Sequence, residues 1–413
     1  MKIRIPRIGL RGSLTRVMTY CIALVSMFMI FFSFNNTSWG SVCIVATLVL
    51  IILNCRYDYL KPLFPFVLVC GITMLLLFMS GRASERGFNA PVNNALKYIH
   101  LMFVVALSIA MKKMSRQERH TILKWTMVSL TISVLISLYY LLRVDIYAVR
   151  FSELRGFPMV IGFDQFYGLC MFLCVLFFTV ISCKQEKNKT KYIVLIIIWL
   201  ACVGLSLLVT GLLLAVMGIA LGLAVAKYNE SKSKTILWVI AIIILGFVVL
   251  VFRTQISDWI YSITDSMNPF LKDRLRSVTD TLLRTDHNIA YSYDRREELA
   301  GYSMSTFRNH PLFGIGYKYY GYGIIGCHQE WQDMLGVFGL FGATVFVILM
   351  MCHSRYLLKR MDNEIDKSAY LIALLVYIVF GFLNPCLTPP SLSVLFIVAP
   401  NASCIFPQRD WMI

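Results

Sequence analysis

Apolar runs of roughly twenty residues recur along almost the whole chain, separated by short stretches that hold most of its charge. A helix needs about twenty apolar residues to cross a hydrocarbon core, because in lipid each backbone polar group must be bonded within its own segment. The runs predict spans at approximately 17–34, 38–55, 61–80, 95–111, 121–142, 159–183, 191–208, 211–226, 235–252, 329–351, 368–384 and 386–404. The expected fold is an all-α polytopic membrane protein of about 12 transmembrane helices. Helices 1–9 occupy 1–252, a large external (periplasmic) loop occupies 253–327, and helices 10–12 occupy 328–413. Asn384, Pro385, Pro389 and Pro390 break the last apolar stretch, which fits either a tight turn between two spans or a re-entrant element. Between 191 and 226, Gly211 is the only available turn signal, and the two runs there could also be one long helix. Composition agrees with this class: 58% of the 413 residues are hydrophobic and 15% charged, with a mean hydropathy of +0.70.

A formal net charge of +17 would suggest nucleic acid in a soluble chain. Here the Lys and Arg sit in short clusters between apolar runs and not on a folded polar face. Lys and Arg are retained on the cytoplasmic side of a membrane. With the N-terminus inside, the cytoplasmic segments hold 24 of the 39 basic residues, so nearly all the excess charge reads as a topology signal facing anionic lipid. The basic lead Met1–Arg16 has no clear small-residue cleavage site and predicts a retained first span. Most cysteines, among them Cys21, Cys43, Cys70, Cys170, Cys174 and Cys202, lie inside apolar runs as small packing residues, while Cys327 and Cys386 could form one bridge.

The 253–327 segment is too long for a turn and too polar for a span, and a loop of that size usually carries function. Within it, Ser292 and the acidic residues after it predict a helix running to about Arg308, because Pro311 disfavours helical geometry at His310. Gly314-Ile-Gly316 predicts a turn. Tyr317, Tyr319, Tyr320 and Tyr322 then supply amphipathic rings, suited to an interfacial belt or to stacking on sugars. At the mouth of the tenth span, His328 could act as a general base near neutral pH, or serve as a structural hydrogen-bonding residue. Glu330 and Asp333 are i, i+3 neighbours able to orient a base or hold a hydroxylated acceptor, or else solvated helix-end carboxylates.

Arg150, Arg155, Arg295, Arg296 and Arg308 offer guanidinium forks that match phosphate oxygens, although each singly could be a headgroup contact. The six histidines show no HxxxH or HExxH spacing, and there is no Walker-type glycine loop and no external DxD pair. A transfer reaction built on these residues would balance phosphate charge with arginine and needs no cofactor.

Arg296, the stretch Asn309-His310-Pro311-Leu-Phe-Gly-Ile-Gly316 and the stretch His328-Gln-Glu-Trp-Gln-Asp-Met-Leu-Gly336-Val-Phe-Gly339-Leu-Phe-Gly342 together resemble the O-antigen ligase and polysaccharide polymerase superfamily. The resemblance covers 292–342 most specifically, and the order of spans and loops follows it along most of the chain. It implies a metal-independent, inverting membrane glycosyltransferase of the C type in the bacterial inner membrane, with its active site on the outer face. The donor would be a glycan on undecaprenyl pyrophosphate and the acceptor a glycan or lipid A-core hydroxyl. By position, His328 would be the general base and Arg296 would hold the pyrophosphate, with Arg150 facing the donor. Arg155, Arg295, Glu330, Asp333 and Tyr317 complete the expected substrate-binding set.

One departure is notable: Val209-Thr210-Gly211 stands where the family carries Ser-Arg-Gly, so threonine replaces an expected phosphate-binding arginine. Asp333, the lost arginine and the phrase Ser303 to Gly316 resemble capsule and exopolysaccharide polymerases, whereas the single dominant loop resembles ligases; polymerase is slightly favoured. A flippase and a chain-length regulator would be partners of such an enzyme. A lipid-linked oligosaccharide transporter should show internal repeats and charge at mid-membrane, which this chain lacks apart from His100 and Asp164. A non-catalytic scaffold is kept open by Thr210.

Overall fold

The computed structural model describes residues 10–32, 45–46, 49–50, 64–69, 72, 89–143, 161–183, 189–206, 208–230, 252–266, 272, 276, 279, 291–315, 325–326, 328–361 and 363–407. Among these residues the protein is all-helical. We number the elements α1 (Leu10–Phe31), α2 (Asn89–Lys113), α3 (Arg116–Arg143), α4 (Phe163–Ser182), α5 (Lys189–Leu205), α6 (Val209–Glu230), α7 (Arg253–Thr264), α8 (Tyr291–Asn309), α9 (Glu330–Leu358), α10 (Glu364–Leu383) and α11 (Pro389–Ile405). Six of them, α1, α3, α4, α6, α9 and α10, are long and apolar enough to cross a membrane, which makes this a helical membrane-embedded protein. The expected spans at 38–55, 61–80 and 235–252 lie largely outside the described residues, as does most of the 253–327 segment.

Two helices approach closely through small residues. On α6, Gly211, Gly218 and Gly222 face Phe166, Cys170, Cys174 and Phe178 of α4, and a Cβ at Gly211 or Gly218 would overlap the facing side chain. In an apolar solvent no hydrophobic gain drives helices together, so close backbone approach and dispersion must do so. This revises the reading of Gly211 as a turn. The break between α5 and α6 falls at Ser206–Leu208, where Ser206 Oγ donates to Val203 O and accepts from Leu208 N. Gly211 serves contact inside α6 instead.

The last stretch resolves as one composite helix at the centre of the bundle. An α turn (Pro389–Ser393), a π segment (Val394–Val398) and a 3-10 segment (Ala399–Ile405) follow one another, all buried. Its beginning lies just after the end of α10, and its other end is bonded to Asp366 at the start of α10, which accepts from Ser403 N (2.6 Å) and Ser403 Oγ (3.0 Å). α11 therefore runs the length of α10 and does not turn back as a re-entrant element would. Pro400 interrupts its hydrogen-bond ladder, and the Asn401 side chain repairs the gap by donating Nδ2 to Ile397 O (2.7 Å).

A buried helix end leaves carbonyls that need donors. Lys112 Nζ donates to Pro400 O (2.7 Å), Arg116 to Ser403 O (3.1 Å), the His120 ring Nδ1 lies 2.8 Å from Cys404 O, and Tyr192 Oη donates to Ile405 O (3.1 Å). Arg119 reaches Asn401 Oδ1 at 2.8 Å. Basic residues that read as a lipid-facing topology signal thus cap the protein's own last helix. Nearby, Ser115 and Glu118 form a reciprocal cap on α3, Ser115 N donating to Glu118 Oε2 (2.7 Å) and Glu118 N to Ser115 Oγ (3.3 Å). The same carboxylate takes both guanidinium bonds of Arg16, tying α1 to α3.

α9 extends to Leu358, seven residues past the expected end of its span, and so brings His353 inside. His353 is buried among the rings of Phe66, Tyr356 and Phe396, with its Nε2 2.9 Å from Ser108 Oγ. Cys386 is buried and in no disulfide, and Cys327 lies outside the described residues. After α7, Asp265 pairs with Lys272 (2.8 Å) and Arg276 (2.7 Å), and these two cations hold its carboxyl below the ordinary aspartate value.

Gly218→Leu should lower the melting temperature in detergent by the equivalent of about 1–3 kcal/mol through overpacking against Cys174. Gly204→Ala, whose new methyl meets nothing, should leave it unchanged or slightly raised. The Asp265 pairs stabilise the folded state above the ordinary aspartate pKa and are lost as pH falls through the lowered one. Amide exchange at 261–266 should therefore accelerate only in acid below that range, and Asp265→Asn should show the faster exchange at neutral pH.

Candidate functional site

The turn after α8 and the first part of α9 interlock through their backbones. α9 breaks at Gly339, whose φ of 62° lies in the left-handed region. In an unbroken helix Leu340 N would bond to Gly336 O and Phe341 N to Val337 O. Instead Leu340 N donates to Pro311 O (2.8 Å) and Phe341 N to Leu312 O (3.0 Å), while Ile315 N donates to Gly336 O (3.2 Å). The turn after α8 is thereby spliced into the ladder of α9. Gly314, also at positive φ (66°), and Gly339 meet backbone to backbone, and a Cβ on either would overlap the other strand of this splice. The break divides the expected tenth span into a short mouth helix, Glu330–Phe338, and an apolar helix from Leu340 onward.

The mouth helix is held by its two carboxylates. Asp333 is buried; Oδ1 accepts from Ser303 Oγ (2.6 Å) and Oδ2 from Gln329 N (3.2 Å), and Ser303 Oγ in turn accepts from Gly326 N (2.9 Å). One buried hydroxyl and carboxylate pair thus fixes the backbone on both sides of His328, which is itself exposed. Glu330 is buried as well, and Oε2 accepts from Cys386 N (3.0 Å) and Leu387 N (3.2 Å), joining the mouth helix to the entry of α11. Trp331 packs on Gly381 and donates Nε1 to Ile378 O (2.7 Å), fixing the same helix to α10. Neither carboxylate is a solvated helix-end group, and both are engaged with the protein's own hydroxyl and N–H groups. Asp333 thus bonds the backbone beside His328, and Glu330 the backbone at the entry of α11.

α8 forms where Ser292 and its acidic neighbours predicted it, and ends at Asn309. Its buried stripe is Leu299, Ser303 and Thr306. Gly326 packs directly on the Leu299 carbonyl and Gly336 on Ser303. Arg296 occupies the register position one turn before Leu299 and two turns before Ser303, so the helix turn that carries it adjoins the segment leading into His328. Arg295 lies one residue off that stripe. Arg150, Arg155 and Tyr317 lie outside the described residues. Arg308 is exposed at the end of α8, far along the helix from Arg296.

Thr210 is buried at the start of α6, beside Gly211 and its contact with Phe166. The Phe166 ring packs on Tyr167, and Tyr167 on Phe380. Ser303 entered the sequence reading only as the start of a family-like phrase, without a role of its own. Its signal was present as a hydroxyl two turns after Arg296, but a serine in a polar helix has no distinguishing pattern until its partners are known. Among the described residues, no group of three or more His, Cys, Asp or Glu side chains is placed to hold a metal ion. No family model matches the chain, and no curated protein matches it.

Ser303→Ala removes the acceptor for Gly326 N and a donor to Asp333 while leaving the α8 backbone intact. Loss of a buried polar partner should cost about 1–3 kcal/mol. The measurable sign is faster amide exchange at 325–329, with α10 and α11 unaffected.

Proposed function

We propose that the protein is an inner-membrane glycosyltransferase that moves an undecaprenyl-pyrophosphate-linked glycan onto an acceptor sugar hydroxyl at the outer face, as a surface-polysaccharide polymerase. The resemblance of 292–342 to the O-antigen ligase and polymerase superfamily supplies the reaction. The observation that supports it is the splice of Pro311–Ile315 into α9, together with the packing of Gly326 on Leu299. Gly326, two residues before His328, packs on Leu299, three residues after Arg296.

In this reading His328, exposed at the mouth, takes the proton of the acceptor hydroxyl as that oxygen attacks the anomeric carbon. The bond from that carbon to the pyrophosphate oxygen breaks with inversion, and the pyrophosphate leaves with its charge balanced by Arg296, assisted by Arg150, Arg155 and Arg295. Glu330 and Asp333 belong to the frame that holds His328, and Tyr317 is a candidate surface for sugar. About twelve spans with a large external loop, an N-terminus in the cytoplasm, and a flippase and chain-length regulator as partners complete the proposal.

His328→Ala and Arg296→Ala should each abolish chain extension in purified protein supplied with a lipid-linked repeat unit, with membrane insertion unchanged. Loss of a catalytic base or of charge balance at a leaving group corresponds to a rate reduction on the order of a hundredfold or more. Wild-type rates in both variants would overturn the proposal. A ladder formed from the repeat unit alone identifies a polymerase; transfer that requires a separate lipid A-core acceptor identifies a ligase.

A further inference from the structure

α7 carries its side chains in an order that suits neither a soluble helix nor a buried one. At 3.6 residues per turn, Phe252, Ile256, Trp259 and Ile263 fall within an arc of about 60°. Phe252 is 50% exposed, Trp259 63% and Ile263 40%. Polar Thr254, Gln255, Asp258 and Ser262 form a second exposed sector. The residues turned inward are small hydroxyls, Ser257 at 0% and Thr264 at 1%. A helix in water places its apolar arc against the protein, whereas here that arc faces outward beside an equally exposed polar arc.

Continuity with the membrane accounts for this order. The run 235–252, expected from its length and hydropathy to be a span, ends at Phe252, and α7 starts at the next residue, so a span there would deliver α7 at the bilayer surface. The other end of the helix is pinned. Arg276 donates to Tyr261 O (3.1 Å) and Thr264 Oγ1 (3.0 Å), stacks over the Tyr261 ring at 4.3 Å, and pairs with Asp265. These bonds fix the rotation of α7 about its axis, and so fix which arc meets lipid.

We propose that α7 is an interfacial helix that lies along the surface of the bilayer the protein spans, with Phe252, Ile256, Trp259 and Ile263 seated at the boundary between headgroups and acyl chains. Trp259 is its anchor, since an indole joins a broad apolar ring to an N–H donor and is favoured at that depth. The Thr254, Gln255, Asp258 and Ser262 arc faces water.

The test uses the full chain in lipid nanodiscs. The difference in fluorescence between wild type and Trp259→Phe isolates one indole among the seven tryptophans. That component should be quenched by lipids brominated on the upper acyl chain and protected from aqueous iodide. Quenching by iodide, or no response to brominated lipid, would overturn the proposal, including the case in which a second copy of the chain covers the apolar arc. A second measurement does not depend on Trp259. Asp258→Cys should label with a membrane-impermeant maleimide above the wild-type background and Ile263→Cys should not, and equal labelling at both would overturn the proposal. Neither readout requires sugar transfer, so its failure is distinct from failure of the transferase reading.

Discussion

A backbone N–H or C=O surrounded by apolar side chains must find a partner, and an unbroken helix supplies one automatically. This protein breaks two of its helices inside the bundle, at Gly339 in α9 and at Pro400 in α11. Each break frees groups that only distant parts of the chain can satisfy. At Gly339 the donors of Leu340 and Phe341 go to Pro311 and Leu312. Around Pro400 and beyond, carbonyls take Lys112, Arg116, His120 and Tyr192. The two breaks therefore act as joints that tie α8 to α9 and α2, α3, α5 and α10 to α11.

The joint at Gly339 frames the candidate site. A continuous helix could not accept the turn after α8, and without that turn Ser303 would not reach Asp333 or Gly326. His328 itself is exposed, but its neighbours on both sides are bonded into buried polar groups. The result is an exposed imidazole on a fixed backbone, the arrangement that positions a group for chemistry without burying it. At the opposite end, the bonds from Lys112, Arg116 and Asp366 hold α11 along α10, and Glu330 closes the near end of α11 onto the mouth helix. The core helix and the site share that one carboxylate.

Much of this was legible beforehand, and the exceptions have a common cause. Among the described residues six candidate spans followed from run length, α8 from Ser292 and Pro311, and the turn at Gly314 from its glycine. Glycine, however, has two uses that look alike in sequence. Gly211 read as a turn and proved to be a contact with Phe166, whereas Gly339 sat inside an apolar run and proved to be the break. Likewise Lys112 and Arg116 read as part of a topology signal, yet they donate to the carbonyls of Pro400 and Ser403, almost three hundred residues away. Glu330 and Asp333 were visible as a pair, but their partners Ser303, Cys386 and Leu387 were not.

The sequence by itself determined that the chain is helical and membrane-embedded, because run length and hydropathy are local properties that lipid translates directly into spans. It also determined where polar chemistry could reside, since ionisable residues are scarce within the apolar runs. Only the tertiary structure decided which glycine bends and which packs, which charges cap a helix, and that the turn after α8 completes the ladder of α9. Those choices depend on which distant group satisfies each freed N–H or C=O, and that pairing has no signature in the order of residues.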